Sequence, residues 1–124
     1  MTPRIALTLA AALMFAGVAA GAFGAHALKA RLPPEALAVW QTAVAYHLWH
    51  ALGLLAAGLL LLHKPDSAAL GAASWLFVAG IALFSGSLCA LALTGVRGLG
   101  AITPVGGFAF LGAWAAMAWA AWRL

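Results

Sequence analysis

Of 124 residues, 67% are hydrophobic and 6% charged, far below the roughly 25% charged residues of an average soluble domain. Six Lys and Arg with two Asp and Glu cannot cover a soluble core of this size, so the solvent for most of the surface is lipid. The net charge of +4 rests on cations scattered singly or in pairs, a distribution that excludes nucleic-acid binding and forms no polybasic lipid patch along the sequence.

A bilayer core takes about 20 apolar residues as a helix, and four stretches qualify: 5–28, 36–62, 68–94 and 101–122. They predict an all-α fold, a single integral membrane domain over 1–124 built as an up-down-up-down four-helix bundle. In the first break, 29–35, paired prolines stop helix 1 and Glu35 suits a new N-terminus. In the second, 63–67, Asp66 or Ser67 offers an N-cap. In the third, 95–100, Gly95 is available as a left-handed C-cap. The second stretch exceeds one span, which predicts that its first turns with Trp40 lie in the interface or tilt. Trp75, Trp119 and Trp122 predict one aromatic belt near Lys64 and Arg123.

Arg4, the first apolar run and small residues at 18–20 or 25–27 also resemble a secretory signal peptide. The run is longer than the usual apolar core of about 7–15 residues, so a retained first helix is the expectation. Arg4, Lys64 and Arg123 on one side balance Lys29, Arg31 and Arg97 on the other. With cations equal on the two sides, the positive-inside rule does not choose an orientation; the signal-like start favours both termini in the cytoplasm.

Small residues at four-residue spacing let membrane helices approach closely. Gly17 and Gly21 extend to Ala25, Gly86 pairs with Ala90, and Gly112 leads to Ala116 and Ala120. They predict packing within one bundle, with a homo-oligomer or a larger membrane complex as the sharper alternative. Cys89, the one cysteine, sits in an apolar run as an inert, buried thiol.

Polar side chains gather by depth. His26 ends helix 1; Tyr46, His47 and His50 fall in the first half of helix 2; Ser85 and Ser87 fall in the second half of helix 3; Thr103 and Pro104 open helix 4. Antiparallel topology puts all of these in one half of the bilayer. At 100° per residue, Tyr46, His47 and His50 share a face with Ala43, Gly53 and Ala57, while Leu48, Leu52, Leu55 and Leu59 point towards lipid. Ionisable residues at membrane depth usually face an interior or a cavity. The pattern predicts a ligand-binding polar pocket of His26, Tyr46, His47, His50, Ser85, Ser87 and Thr103. Each has a plainer reading: histidines as helix contacts, serines bonding carbonyls one turn back, and Thr103 with Pro104 as an N-cap and first residue.

The favoured function is a non-catalytic accessory protein or a binder of lipid or a small ligand. The alternative is a redox protein in which His26 and His47 or His50 hold haem, or all three hold one metal. No cofactor is required by the sequence. No haem-attachment Cys-x-x-Cys-His occurs and the carboxylates are Glu35 and Asp66 alone. A transporter is disfavoured without an internal repeat, and an enzyme without a nucleophile–base–orienter set.

Four segments in order, 21–26 (GAFGAH), 41–51 (QTAVAYHLWHA), 83–88 (LFSGSL) and 103–107 (TPVGG), resemble the YgdD-like small inner-membrane proteins, a domain of unknown function related to the eukaryotic transmembrane protein 256. Family members often carry an aromatic where Cys89 stands. The resemblance covers nearly the whole chain. It implies a four-helix protein of the bacterial inner (plasma) membrane with no established activity, and it supplies no catalytic residues.

Overall fold

Thr2 starts the first helix by accepting a hydrogen bond from Ile5 N at 3.3 Å, and Pro3 fills the first turn, where its missing N–H leaves no gap. The computed structural model describes residues 1–124. Helix α1 runs Pro3–Leu28, beginning earlier than the apolar run because the cap precedes it. Its last turn widens into a π turn, Gly24–Leu28, whose Gly24 carbonyl accepts from Lys29 N at 3.0 Å.

Helix α2 spans Pro34–His63, with Pro33 extended before it and Glu35 in its first turn. Helix α3 spans Ala68–Thr94 and contains a second π turn, Ile81–Ser85. Ser67 caps α3 by accepting from Leu70 N at 3.3 Å. Gly95 closes it in the left-handed region, φ 71°, where a side chain would be strained. A 3-10 turn, Arg97–Ala101, leads into α4, Thr103–Trp122. All four helical segments are long and apolar enough to cross a bilayer, and the short connections run them up and down in turn.

Helix α1 packs along α2 and α4 along α3, leaving α2 and α3 as the central pair. The main core joins Ala6 and Ala10 of α1, Leu54 and Leu61 of α2, Leu70, Phe77 and Ile81 of α3, and Phe110 and Ala113 of α4. A smaller cluster of Leu28, Trp40, Val44 and Ala92 closes the other end. Small residues set these approaches. A Cβ on Gly53 would come within 2.7 Å of Phe77, and one on Gly17 within 2.6 Å of Leu48. Gly21 and Gly112 also face neighbouring helices, near Val44 and Leu76.

Several placements depart from the sequence expectations. Trp40 is buried within the bundle, 7% exposed, seated on Gly24 with its Nε1–H donating to the Ala20 carbonyl at 3.0 Å. The short first connection holds the start of α2 against the end of α1, where this carbonyl can satisfy the indole. Leu48 is half-buried on Gly17 rather than lipid-facing. Gly86 is exposed and touches no other helix, because the π turn before it rotates the register so that Ser85 and Ser87 face inward instead. Thr103 lies inside α4 without capping it. Trp75, Trp119 and Trp122 are outward, at 55%, 57% and 86% exposure.

Candidate functional site

The π turn of α3 builds the most distinctive feature of the bundle. It brings Phe84 onto α4 at Gly106, where a Cβ would lie only 2.7 Å from Phe84 Cβ. Seated there, the Phe84 ring stacks on Tyr46 of α2 with centroids 4.6 Å apart. One turn further along α2, His50 lies flat on Phe110 of α4, 3.5 Å between centroids and 10° between planes. Trp114 stands 6.0 Å from His50 and edge-on to Phe77 at 5.0 Å.

Between α2, α3 and α4 these rings enclose a groove of about 410 Å³ lined by Tyr46, His50, Phe84, Pro104, Gly107, Phe108, Phe110, Leu111 and Trp114. From Pro104 to Trp114 it follows α4 for about 15 Å at 1.5 Å per residue. Phe108 and Leu111 on its rim are 73% and 67% exposed, so its mouth opens to lipid. His50 sits about 24 Å along α2 from Pro34, near the middle of this helix rather than in its first half.

Two polar atoms of the groove are uncommitted. His50 Nδ1–H donates to the Tyr46 carbonyl at 2.6 Å. Because a carbonyl only accepts, the neutral ring carries its proton on Nδ1 and a lone pair on Nε2. That Nε2 and the Tyr46 hydroxyl make no hydrogen bond within the protein, and neither is sealed from its surroundings. His50 as a residue is nevertheless buried, 6% exposed.

The seven sequence-predicted residues do not share one cavity. Tyr46 and His50 line the groove. Ser87 and Thr103 bond to each other at 2.7 Å, and Ser87 also donates to the Phe84 carbonyl at 3.0 Å, so this pair ties α3 to α4. Ser85 Oγ is buried without a partner. His47 turns to α1, donating from Nε2 to the Leu13 carbonyl at 2.6 Å; the 100° step from Tyr46 to His47 sends them to different neighbours. His26 is exposed on the π turn of α1.

The same dispersal separates the three histidines of the metal alternative. No three His, Cys, Asp or Glu side chains converge on a point that could hold an ion. His26 faces outward, and His47 gives its Nε2 proton to α1. The aromatic cluster of Phe77, Phe84, Phe110 and Trp114 does not stand out in the sequence. Its only signal is spacing, seven residues on α3 and four on α4, which is also the spacing of any lipid-facing or core stripe.

Residues 20–107, a segment holding all seven of those side chains, match the family described as a protein of unknown function, DUF423. The UPF0382 membrane protein YwdK of Bacillus subtilis (strain 168) is 44% identical over 111 residues, covering 90% of each chain. The UPF0382 membrane protein SH2409 of Staphylococcus haemolyticus is 41% identical over 111 residues, covering 90% of this chain and 89% of its own. No solved structure matches the chain.

Proposed function

We propose that this chain, which belongs to the DUF423 family of membrane proteins of unknown function, is a non-catalytic protein that holds a small apolar ligand of the bilayer in the groove between α2, α3 and α4. The observation that carries this reading is the pair of free polar atoms, His50 Nε2 and the Tyr46 hydroxyl, in a wall otherwise apolar and mostly aromatic. In hydrocarbon an unpartnered polar group costs several kcal/mol, on the order of 2–7 for a hydroxyl or amide. Lipid tails cannot supply a partner; a ring bearing a hydroxyl or carbonyl oxygen can.

Such a ring would stack beside Phe84, Phe110 or Trp114, accept from the Tyr46 O–H, or donate its own hydroxyl to His50 Nε2. The groove's volume of about 410 Å³ falls within the roughly 300–1,000 Å³ of small-molecule sites. Engagement of Ser87 by Thr103 and the Phe84 carbonyl supports a binding role over a nucleophilic one. The proposed setting is the bacterial inner membrane with both termini cytoplasmic, and four crossings return the termini to one side. A C-terminal reporter active only outside the cytoplasm should therefore stay silent.

Native mass spectrometry of the intact protein released gently from its membrane tests the reading. A stoichiometric added mass is expected on the wild type and is lost in Tyr46→Phe, which removes one oxygen and no packing ring. A wild type at its bare mass, or a ligand retained equally by Tyr46→Phe and His50→Phe, overturns it and leaves an accessory role.

A further inference from the structure

Away from the groove, where α2 passes to α3 and α4 ends, residues distant in the sequence surround a second cavity of about 390 Å³. Lys64 enters from the turn after α2, and Arg123 from the residue following α4. Both are exposed, and the Arg123 guanidinium rests over the Trp119 ring at 5.4 Å. Trp119 and Ala120 form the α4 side, and Leu70, 1% exposed, contributes from α3.

The surroundings place this cavity at the boundary between headgroups and acyl chains. Trp75, Trp119 and Trp122 are exposed on this half of the bundle, and indoles favour the headgroup level of a bilayer. Asp66 lies on the loop outside the cavity lining, and Leu124 completes that lining beside the two cations. The Ser67 hydroxyl accepts from Leu70 N and keeps its O–H to donate, so Lys64 and Arg123 supply the charge for an anion and Ser67 a further donor.

We infer that this cavity holds the phosphate headgroup of an anionic membrane phospholipid, with Lys64 and Arg123 on the phosphate and the acyl chains running down along Trp119. Arginine suits the role because its planar fork meets two phosphate oxygens at once, while lysine adds a compact charge. Basic cavities between membrane helices are a recurrent form of anionic-lipid recognition. The apolar wall beneath the cations selects a phospholipid over free phosphate, which has nothing to place there.

The test uses the full chain in bilayer discs of phosphatidylcholine with a minority of phosphatidylglycerol, released into native mass spectrometry. Phosphatidylglycerol should be retained in preference. Lys64→Gln with Arg123→Gln should lower that retention roughly thirtyfold, at about fivefold per basic residue. Lys29→Gln with Arg31→Gln, at the opposite end, should leave it unchanged. Matching unfolding temperatures of the two double variants separate lipid loss from misfolding. Equal retention by both double variants, equal loss by both, or equal retention of phosphatidylcholine overturns the inference. Inorganic phosphate added to the delipidated protein should give no adduct; a Lys64- and Arg123-dependent phosphate adduct would overturn the assignment to lipid.

Discussion

Adjacent glycines in α4 make a matched pair for testing how tightly α3 and α4 are joined. At Gly106 an added Cβ would fall 2.7 Å from Phe84 Cβ and 2.8 Å from Phe84 Cα; at Gly107 the nearest atom would be Phe84 Cδ2 at 3.9 Å, an ordinary contact. The Phe84 backbone cannot swing aside as a flexible side chain would. Gly106→Ala therefore forces α4 away from α3 by roughly an ångström to restore carbon–carbon distances of about 3.5 Å. A gap of that size forfeits about a quarter to a half of the dispersion well for each contact across it. Thr103 lies one turn earlier on the same face, so its 2.7 Å bond to Ser87 is stretched as well.

Overpacking of this kind costs about 1–3 kcal/mol, while replacing a helical glycine by alanine returns up to about 1 kcal/mol. The net expectation is a loss of about 1–2 kcal/mol for Gly106→Ala, and no loss or a gain of up to about 1 kcal/mol for Gly107→Ala. Both variants should be unfolded in mixed micelles with rising denaturing detergent, monitored by circular dichroism and tryptophan fluorescence. Equal midpoints for the two variants would refute the reasoning, because propensity alone treats the two positions alike.

Other expectations rest on single contacts. Trp40→Phe removes the Nε1–H that satisfies the Ala20 carbonyl; the same unfolding assay should show a loss of about 0.6–2 kcal/mol. Gly24→Ala, whose Cβ would meet Trp40 at 2.6 Å, should increase tryptophan quenching by lipid-phase quenchers as the indole is displaced. Phe77→Ala empties a fully buried position over Gly53 and should cost about 3–5 kcal/mol, the largest loss of the set. Ser87→Ala and Thr103→Val should each be mild, and a double-mutant cycle should give a coupling near 0.6 kcal/mol; zero coupling would show that their 2.7 Å bond contributes nothing.

Much of the architecture was legible because it is local. Four spans followed from hydropathy and length, since in lipid each segment must satisfy its own backbone and a helix does so without partners. Their ends followed from residues with one stereochemical use: Ser67 as a cap, Gly95 in the left-handed region, and prolines where an N–H is dispensable. Of the polar residues grouped by depth, Tyr46 and His50 line the groove between α2, α3 and α4.

Facing was a different matter. These helices are apolar nearly all round, so no polar stripe marks their inner side as it would in a soluble bundle. Only packing decides that His47 turns to α1 while Tyr46 and His50 turn to α4. The π turn at Ile81–Ser85 adds a residue to one turn of α3, and every later position changes face with it; this exposes Gly86 and sets Ser87 against Thr103. The cations of the second cavity show the same division. Lys64 and Arg123 are isolated charges along the sequence, and no pattern of period 3.6 connects them. They become neighbours only because α2 and α4 run in the same direction and end at the same side of the bundle.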